Sequence, residues 1–195
     1  MEMERYKSNR DFIGFVSGLC ALEKDAAALL SQQLETVSFK KGEAILEQGS
    51  ICRYVYYINS GLVKTGFENK ERTFIMRFFA EGATFTVLDS YLSQNPSAYK
   101  IEALENTVLT RISRTEMDKL CFRFHPMETF FRKLVSMASV NMMSRIGEML
   151  EEKAAARYEN FLRENPGLIQ RISLGDLAGY LGITQVSLSR IRSGI

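Results

Sequence analysis

Residues 173–192 read SLGDLAGYLGITQVSLSRIR. Ser173 with Asp176 three positions on is a capping pair, in which the hydroxyl accepts from a backbone N–H that the helix itself cannot satisfy. Leu174, Leu177, Ala178 and Leu181 follow as one apolar face, and Gly182 breaks the helix. Thr184 with Ser187 repeats the N-cap signal, and Leu188 and Ile191 continue as the buried face of a second helix. Two short helices joined through a glycine, with the small Ala178 where they cross, predict a helix-turn-helix.

The outward face of the second helix holds hydrogen-bonding and basic side chains and no carboxylate. Gln185, Val186 and Arg190 are the expected base readers: glutamine suits adenine N6 and N7, arginine suits guanine O6 and N7, and an apolar side chain suits the thymine methyl. Thr184, Ser187, Ser189 and Arg192 are expected at phosphates. The alternative is an ordinary solvated helical hairpin that contacts protein. The location of charge favours DNA, because the chain's net charge of +2 resides entirely in residues 154–195, and no acid follows Asp176.

Upstream, a short helical stretch covers 154–163, and Glu164-Asn165-Pro166-Gly167 forms a turn before the helix-turn-helix. From His125-Pro126 to about Lys153 the sequence carries neither a further proline nor a strand pattern, which predicts a long helix. Phe131, Val135, Ala138, Met142, Arg145 and Met149 recur at alternating four and three, the spacing of a seam between two helices. Phe130, Leu134, Met137 and Ile146 add further apolar surface. A homodimer held by Phe131, Leu134, Val135, Ala138, Met142 and Met149 is expected; the competing reading packs this stripe on its own domain. The methionines are flexible packing residues rather than metal ligands.

Residues 37–112 have another texture. β-Branched and aromatic residues come in short runs at 37–39, 44–46, 54–58, 62–64, 73–79 and 107–109, punctuated by Gly42, Gly49, Gly61, Gly66 and Gly82. Short strands with glycine-bearing turns predict an antiparallel sandwich or barrel. Asn59-Ser60-Gly61 and Glu68-Asn69-Lys70-Glu71 read as hairpin turns. An amphipathic helix over 22–34 precedes this region.

Several classes are disfavoured. The three cysteines, Cys20, Cys52 and Cys121, are dispersed and form no CxxC pair, so neither a disulfide framework nor a zinc site is suggested. An iron-sulfur cluster needs about four cysteine ligands. His125 is the single histidine, better placed as a helix boundary than as a haem ligand. The β region has no histidine for a cupin-type metal oxygenase, and no nucleophile, general-base pair or glycine-rich phosphate loop has a recognisable spacing. No cofactor and no enzyme activity are expected. The N-terminus lacks the apolar core of a signal peptide, and no run of about 18 apolar residues predicts a membrane span. A cytoplasmic protein is expected.

With these residues in view, the chain resembles the Crp/Fnr family of bacterial transcription regulators. KKGEAILEQGSICRYVYYINSGLVKTGF is similar to that family's first β-roll strands, HPMETFFRKLVSMASVNMMSRIGEMLEEK to its dimer helix, and RYENFLRENPGLIQRISLGDLAGYLGITQVSLSRIR to its DNA-binding domain. The resemblance implies an α+β chain: an antiparallel β-roll (double-stranded jelly roll) with flanking helices over 1–125, a dimerisation helix over 126–153, and a helix-turn-helix domain over 154–195. Its expected partners are double-stranded DNA, a second copy, RNA polymerase if it activates, and an unidentified small-molecule effector. The other reading is a ligand-binding regulatory module whose C-terminal helices contact protein.

Family members that bind cyclic nucleotides place Gly-Glu after a phenylalanine for the ribose, and an arginine before Ser-Ala for the phosphate. Here the stretch reads Phe85-Thr86-Val87-Leu88-Asp89 and then Pro96-Ser97-Ala98, so Val87 and Pro96 stand at the polar positions. A buried phosphate would lose its bidentate partner, leaving Lys100 or Arg77 to compensate. Phe85, Thr86, Val87, Asp89, Tyr91, Ser97 and Ala98 are the candidate pocket for another effector, or they fill an empty roll. Relatives also carry a β-hairpin after the recognition helix, where this sequence reads Ser193-Gly194-Ile195; fewer phosphate contacts would follow.

Overall fold

Strand-forming sequence between Glu35 and Ser113 closes into two four-stranded antiparallel sheets. The computed structural model describes residues 2–69 and 73–194, with side chains from Asp11 onward. The strands are β1 (Glu35–Phe39), β2 (Ala44–Leu46), β3 (Tyr54–Ser60), β4 (Val63–Glu68), β5 (Thr73–Phe79), β6 (Thr84–Phe85), β7 (Lys100–Ala103) and β8 (Thr107–Ser113). One sheet has the order β1-β8-β3-β6 and the other β2-β7-β4-β5, the jelly-roll arrangement in which successive strands cross between sheets, here everywhere except at the β4–β5 hairpin.

Helices flank the roll. α1 (Glu2–Leu19) and α2 (Lys24–Gln33) precede it, α3 (Leu88–Ser93) lies between β6 and β7, α4 (Arg114–Arg123) follows β8, and α5 (His125–Glu151) is the long helix. Phe12 and Val16 of α1, Leu30 of α2, Met117 of α4 and Phe130 of α5 share one buried cluster with Val55, Ile58, Leu109 and Ile112 of the sheets. α1, α4, β6 and β7 were not apparent in the sequence pattern. No helix among the described residues is long and apolar enough to cross a membrane.

Two glycines differ from the sequence reading. Gly61 has φ of +101°, as a tight turn requires, yet the strands it joins do not pair: β3 bonds to β6 and β8, and β4 to β5 and β7. Asn59-Ser60-Gly61 is therefore a corner between sheets and not a hairpin. Gly66 lies inside β4, where a Cβ would come within 2.2 Å of the Phe74 carbonyl oxygen. It marks a β-bulge: Thr65 pairs with Arg77 and Gly66 with Ile75, leaving Met76 of β5 unpaired. The turn expected at 68–71 joins β4 to β5, and part of it lies outside the described residues.

The C-terminal unit consists of α6 (Ala154–Glu164), α7 (Leu174–Leu181) and α8 (Gln185–Ser193). Leu177, Ala178, Leu181, Leu188 and Phe161 form its core. Leu174, expected on that buried face, is half exposed, because a first-turn residue projects beyond the crossing point of two such short helices.

Candidate nucleic-acid interface

Local chemistry fixes α7 and α8. The Asp176 N–H donates to Ser173 Oγ at 3.0 Å and the Ser187 N–H to Thr184 Oγ1 at 3.2 Å, each removing an orphan donor at a helix start. Gly182 adopts φ of +68° and its N–H closes α7 on the carbonyls of Ala178 and Gly179, the left-handed C-cap that sharply redirects the chain.

On α8 the side chains of Gln185, Val186, Ser189, Arg190 and Arg192 are exposed, Ser187 is half-buried and Leu188 is buried. The Thr184 and Ser187 hydroxyls lie 3.0 Å apart, so the cap holds both. Gln185, Ser189 and Arg192 line a shallow cleft with Leu174 and Ser193. Helical spacing places Val186 beside Arg190 on the adjoining strip. The structure thus groups Arg192 with Gln185, whereas the sequence reading paired Arg190 with Gln185.

The unit does not stand free. α7 packs on β5, where a Cβ on Gly179 would lie 2.8 Å from the Thr73 carbonyl oxygen and 3.6 Å from Ile75. Phe78 of β5 meets Tyr180 at 5.5 Å and Phe161 at 6.1 Å between ring centroids, contacts of about 0.5–1.5 kcal/mol each beyond burial. Lys64 of β4 reaches Asp176 at 2.8 Å and Glu102 at 3.2 Å. Burial alone would lower its ammonium pKa, but the Asp176 and Glu102 carboxylates more than reverse that and hold it above the usual lysine range. Arg157 of α6 donates to the carbonyls of Glu152, after α5, and Leu181, at the end of α7. A cleft of about 440 Å³ remains between β4–β5 and the starts of α7 and α8, with Thr184 and Gln185 on its wall.

The long helix departs from the expected seam. Leu134 is buried with Met127 and Phe130 in the roll's core, and Phe131 rests 5.9 Å from the Tyr91 ring. Val135 and Ala138 are half-buried. Arg145 is buried against Tyr180, and Met149 lies against the helix-turn-helix, 2.7 Å from where a Cβ on Gly182 would stand. Much of the predicted stripe therefore packs on its own chain, the competing reading. Met142 and Met149 of that stripe are nonetheless exposed, as are Met137, Val140, Met143, Ile146 and Leu150, so the exposed apolar surface of the helix extends beyond the predicted face. Gly147 beside them has open space where a Cβ would be.

Nor do the candidate pocket residues line one opening. Phe85, Val87, Tyr91 and Ser97 are buried, Thr86 is half-buried, and Asp89 and Ala98 face outward. Two of the hydroxyls are occupied internally, while the buried Tyr91 hydroxyl has no hydrogen-bond partner among the described residues: Thr86 donates to the Tyr54 carbonyl at 2.9 Å, and Ser97 donates to the Tyr99 carbonyl at 2.9 Å while accepting from its N–H. Gln94, at φ of +56°, ties the end of α3 to the carbonyls of Cys52 and Tyr91. A ladder of rings fills the roll beside them: Phe79 stacks on Phe85 at 4.8 Å, Phe85 on Tyr56 at 5.2 Å, and Tyr56 meets Tyr54 at 6.0 Å. Arg111 caps the ladder 4.1 Å over Tyr54 and pairs with Glu35 at 2.9 Å. Burial pushes the Tyr56 hydroxyl well above the usual phenol range. Lys100 is paired with Glu102, and Arg77 donates to the Asn141 carbonyl. Sequence reasoning missed this ladder because its rings come from three separate strands.

Residues 36–124 match the family model of the cyclic nucleotide-binding domain. No curated protein sequence matches the chain. Among solved structures, a transcriptional regulator of the Crp/Fnr family from Eubacterium rectale shares 20% identity over 89% of this chain and 83% of its own, with a TM-score of 0.72. FixK2 from Bradyrhizobium japonicum shares 23% identity over 83% of each chain, with a TM-score of 0.68. The c-di-GMP responsive regulator CLP from Xanthomonas campestris shares 14% identity over 88% of this chain and 91% of its own, with a TM-score of 0.69. These likenesses extend across the roll, the long helix and the C-terminal helices as one fold.

Proposed function

We propose that this chain, which has the fold of the Crp/Fnr regulators, is a DNA-binding transcription regulator that acts as a homodimer on a two-fold-related operator. Its control is by an effector other than cyclic AMP, or by none. The observation that carries this reading is the exposed face of α8: two arginines, glutamine and serine without a carboxylate, on a helix seated by its own cap. Such a face offers base-edge donors and acceptors and meets phosphate without like-charge repulsion. The match to regulators rather than to enzymes supports it, and so does the exposed apolar face of α5, which a second copy would cover.

Selection of bound duplexes from a random-sequence pool at low salt tests the reading. A shared, two-fold-related sequence is expected. The control is the chain carrying Gln185→Ala, Arg190→Ala and Arg192→Ala together, since deleting α7 and α8 would strip the cover from β5. Absence of any enriched sequence, or equal enrichment by the triple variant, would overturn the proposal.

A further inference from the structure

One side chain gathers two turns of the roll and ties them to the helix-turn-helix. Arg171, two residues before the Ser173 cap of α7, donates through Nε and Nη2 to Glu105 at 2.9 and 2.7 Å, and through Nη1 and Nη2 to Glu81 at 3.0 and 2.8 Å. Glu105 lies between β7 and β8, and Glu81 between β5 and β6. Glu81 Oε1 also accepts from the Gly61 N–H at 2.9 Å, at the corner from β3 to β4. A Cβ on Gly61 would lie 2.4 Å from Thr107 Oγ1, so that corner already touches the turn carrying Glu105. Exposed ion pairs add little stability, but a planar fork engaged on two edges fixes a direction, which a lysine ammonium does not.

What Glu81 is attached to gives the clasp its meaning. From Glu81 the chain passes through Gly82 and Ala83, each bonded to the backbone of Ile58 at 2.9 Å, into β6 and Phe85. Phe85 is the ring held between Phe79 and Tyr56, and Thr86 and Val87 follow it. Only three residues thus separate the centre of the aromatic ladder from the residue whose carboxylate holds Arg171, and the bonds to Ile58 leave this span little slack.

We propose that Arg171 is a clasp through which the roll segment 81–87 sets the orientation of the helix-turn-helix. A change in packing around Phe85 is then transmitted to α7 and α8 across this chain's own surface, independently of α5. The biological output rests on the DNA-binding reading; the mechanical coupling does not.

Hydrogen exchange of the α7 and α8 amides in the full chain reads the coupling without DNA. Phe85→Leu, which loosens the ladder, is measured in the wild-type background and again with Arg171→Met. In the wild-type background it should change α7 and α8 exchange rates by threefold or more; with Arg171→Met it should leave them unaltered. No effect in the wild-type background, or the same factor in both, overturns the clasp and assigns the seating of α7 and α8 to the other contacts, the α7–β5 packing and the Lys64–Asp176 pair among them. Should Arg171→Met not fold, Glu81→Gln with Glu105→Gln supplies the same background. DNA affinity measured on the same proteins is a separate readout, so its absence would sink the regulator reading and leave the coupling result standing.

Discussion

The guanidinium of Arg145, on the long helix, lies 3.8 Å from the centroid of the Tyr180 ring and also donates to the Tyr180 carbonyl. Glu148 holds it from the other side at 3.1 Å. Ring face and carbonyl of a single residue are thus engaged by a single cation, which sets the spacing between α5 and α7.

Arg145→Ala should lower stability by roughly 2–4 kcal/mol, combining a desolvated cation–π contact with a charged hydrogen bond to the backbone. For a chain of this size that is a fall in Tm of about 5–10 °C. Arg145→Lys keeps the charge and should recover only part of it. Thermal unfolding followed by circular dichroism checks both, and a shift within about 2 °C for the alanine variant refutes the assignment.

Acid should release the clasp in a defined window. The hydrogen bonds from Arg171 hold the Glu81 carboxyl down at about 2 against an ordinary 4.5, and Glu105 is lowered by the same guanidinium. A carboxylate depressed on folding stabilises fully above its unfolded value and loses that contribution as pH falls through its folded value. The stability difference between wild type and Glu81→Gln should therefore be flat from pH 8 to 5 and shrink from about 4.5 toward 2. Denaturant titrations at intervals of half a pH unit measure it; a difference already shrinking at pH 6 would contradict the assignment.

Self-association and folding should separate by face of α5. Wild type should scatter light as twice the 22.2 kDa chain at micromolar concentration. Met143→Glu with Leu150→Glu should give the single-chain mass with little change in Tm, because both side chains are exposed. Leu134→Ala should do the reverse, keeping the doubled mass while losing about 2–5 kcal/mol to a core cavity. A monomer from Leu134→Ala and a dimer from the double glutamate variant would return the seam to the stripe read from the sequence.

Cyclic AMP should bind poorly, because Val87 is buried, Pro96 supplies no charge, and the ring ladder occupies the roll interior. Calorimetric titration giving sub-micromolar binding would show that the ladder yields to ligand.

On DNA, paired α8 helices should enter successive major grooves with half-site centres about 34 Å apart. Arg190→Ala should cost roughly 1–3 kcal/mol per half-site and relax preference there, whereas Arg192→Ala should weaken all sequences alike and make the salt slope shallower by about one. Because Arg192 shares a cleft with Gln185, the contrast is demanding. Equal losses on selected and scrambled duplexes for Arg190→Ala would move that arginine to the backbone.

The helix-turn-helix was legible because its signals are local: Ser173 and Asp176, or Thr184 and Ser187, are three residues apart and act on the backbone between them. The roll's class was legible through short β-branched runs and left-handed glycines such as Gly61. Gly66 was misread because its reason is the carbonyl of Phe74 on the facing strand, and nothing near it in sequence records that approach. The faces of α5 were ambiguous for a related cause. An apolar period says that a side is covered without saying by what, so Leu134 and Arg145 looked alike though one enters the roll and the other meets Tyr180. The partners of Arg171 lie 66 and 90 residues away, and pairing of that kind leaves no periodic trace.

The bulge between β4 and β5 decides more than the local twist. Positions an odd number apart on an unbroken strand look in opposite directions, so Ile75 and Phe78 ought to disagree, one toward the roll interior and one toward α7. The unpaired Met76 resets the parity, and both meet the C-terminal helices, Ile75 at Gly179 and Phe78 at Tyr180. The surface that seats the C-terminal helices is in this sense a matter of counting: removing Met76 would restore the alternation and turn Ile75 inward, reversing each residue before it in β5, and so divide between two sides of the sheet a patch that now presents one.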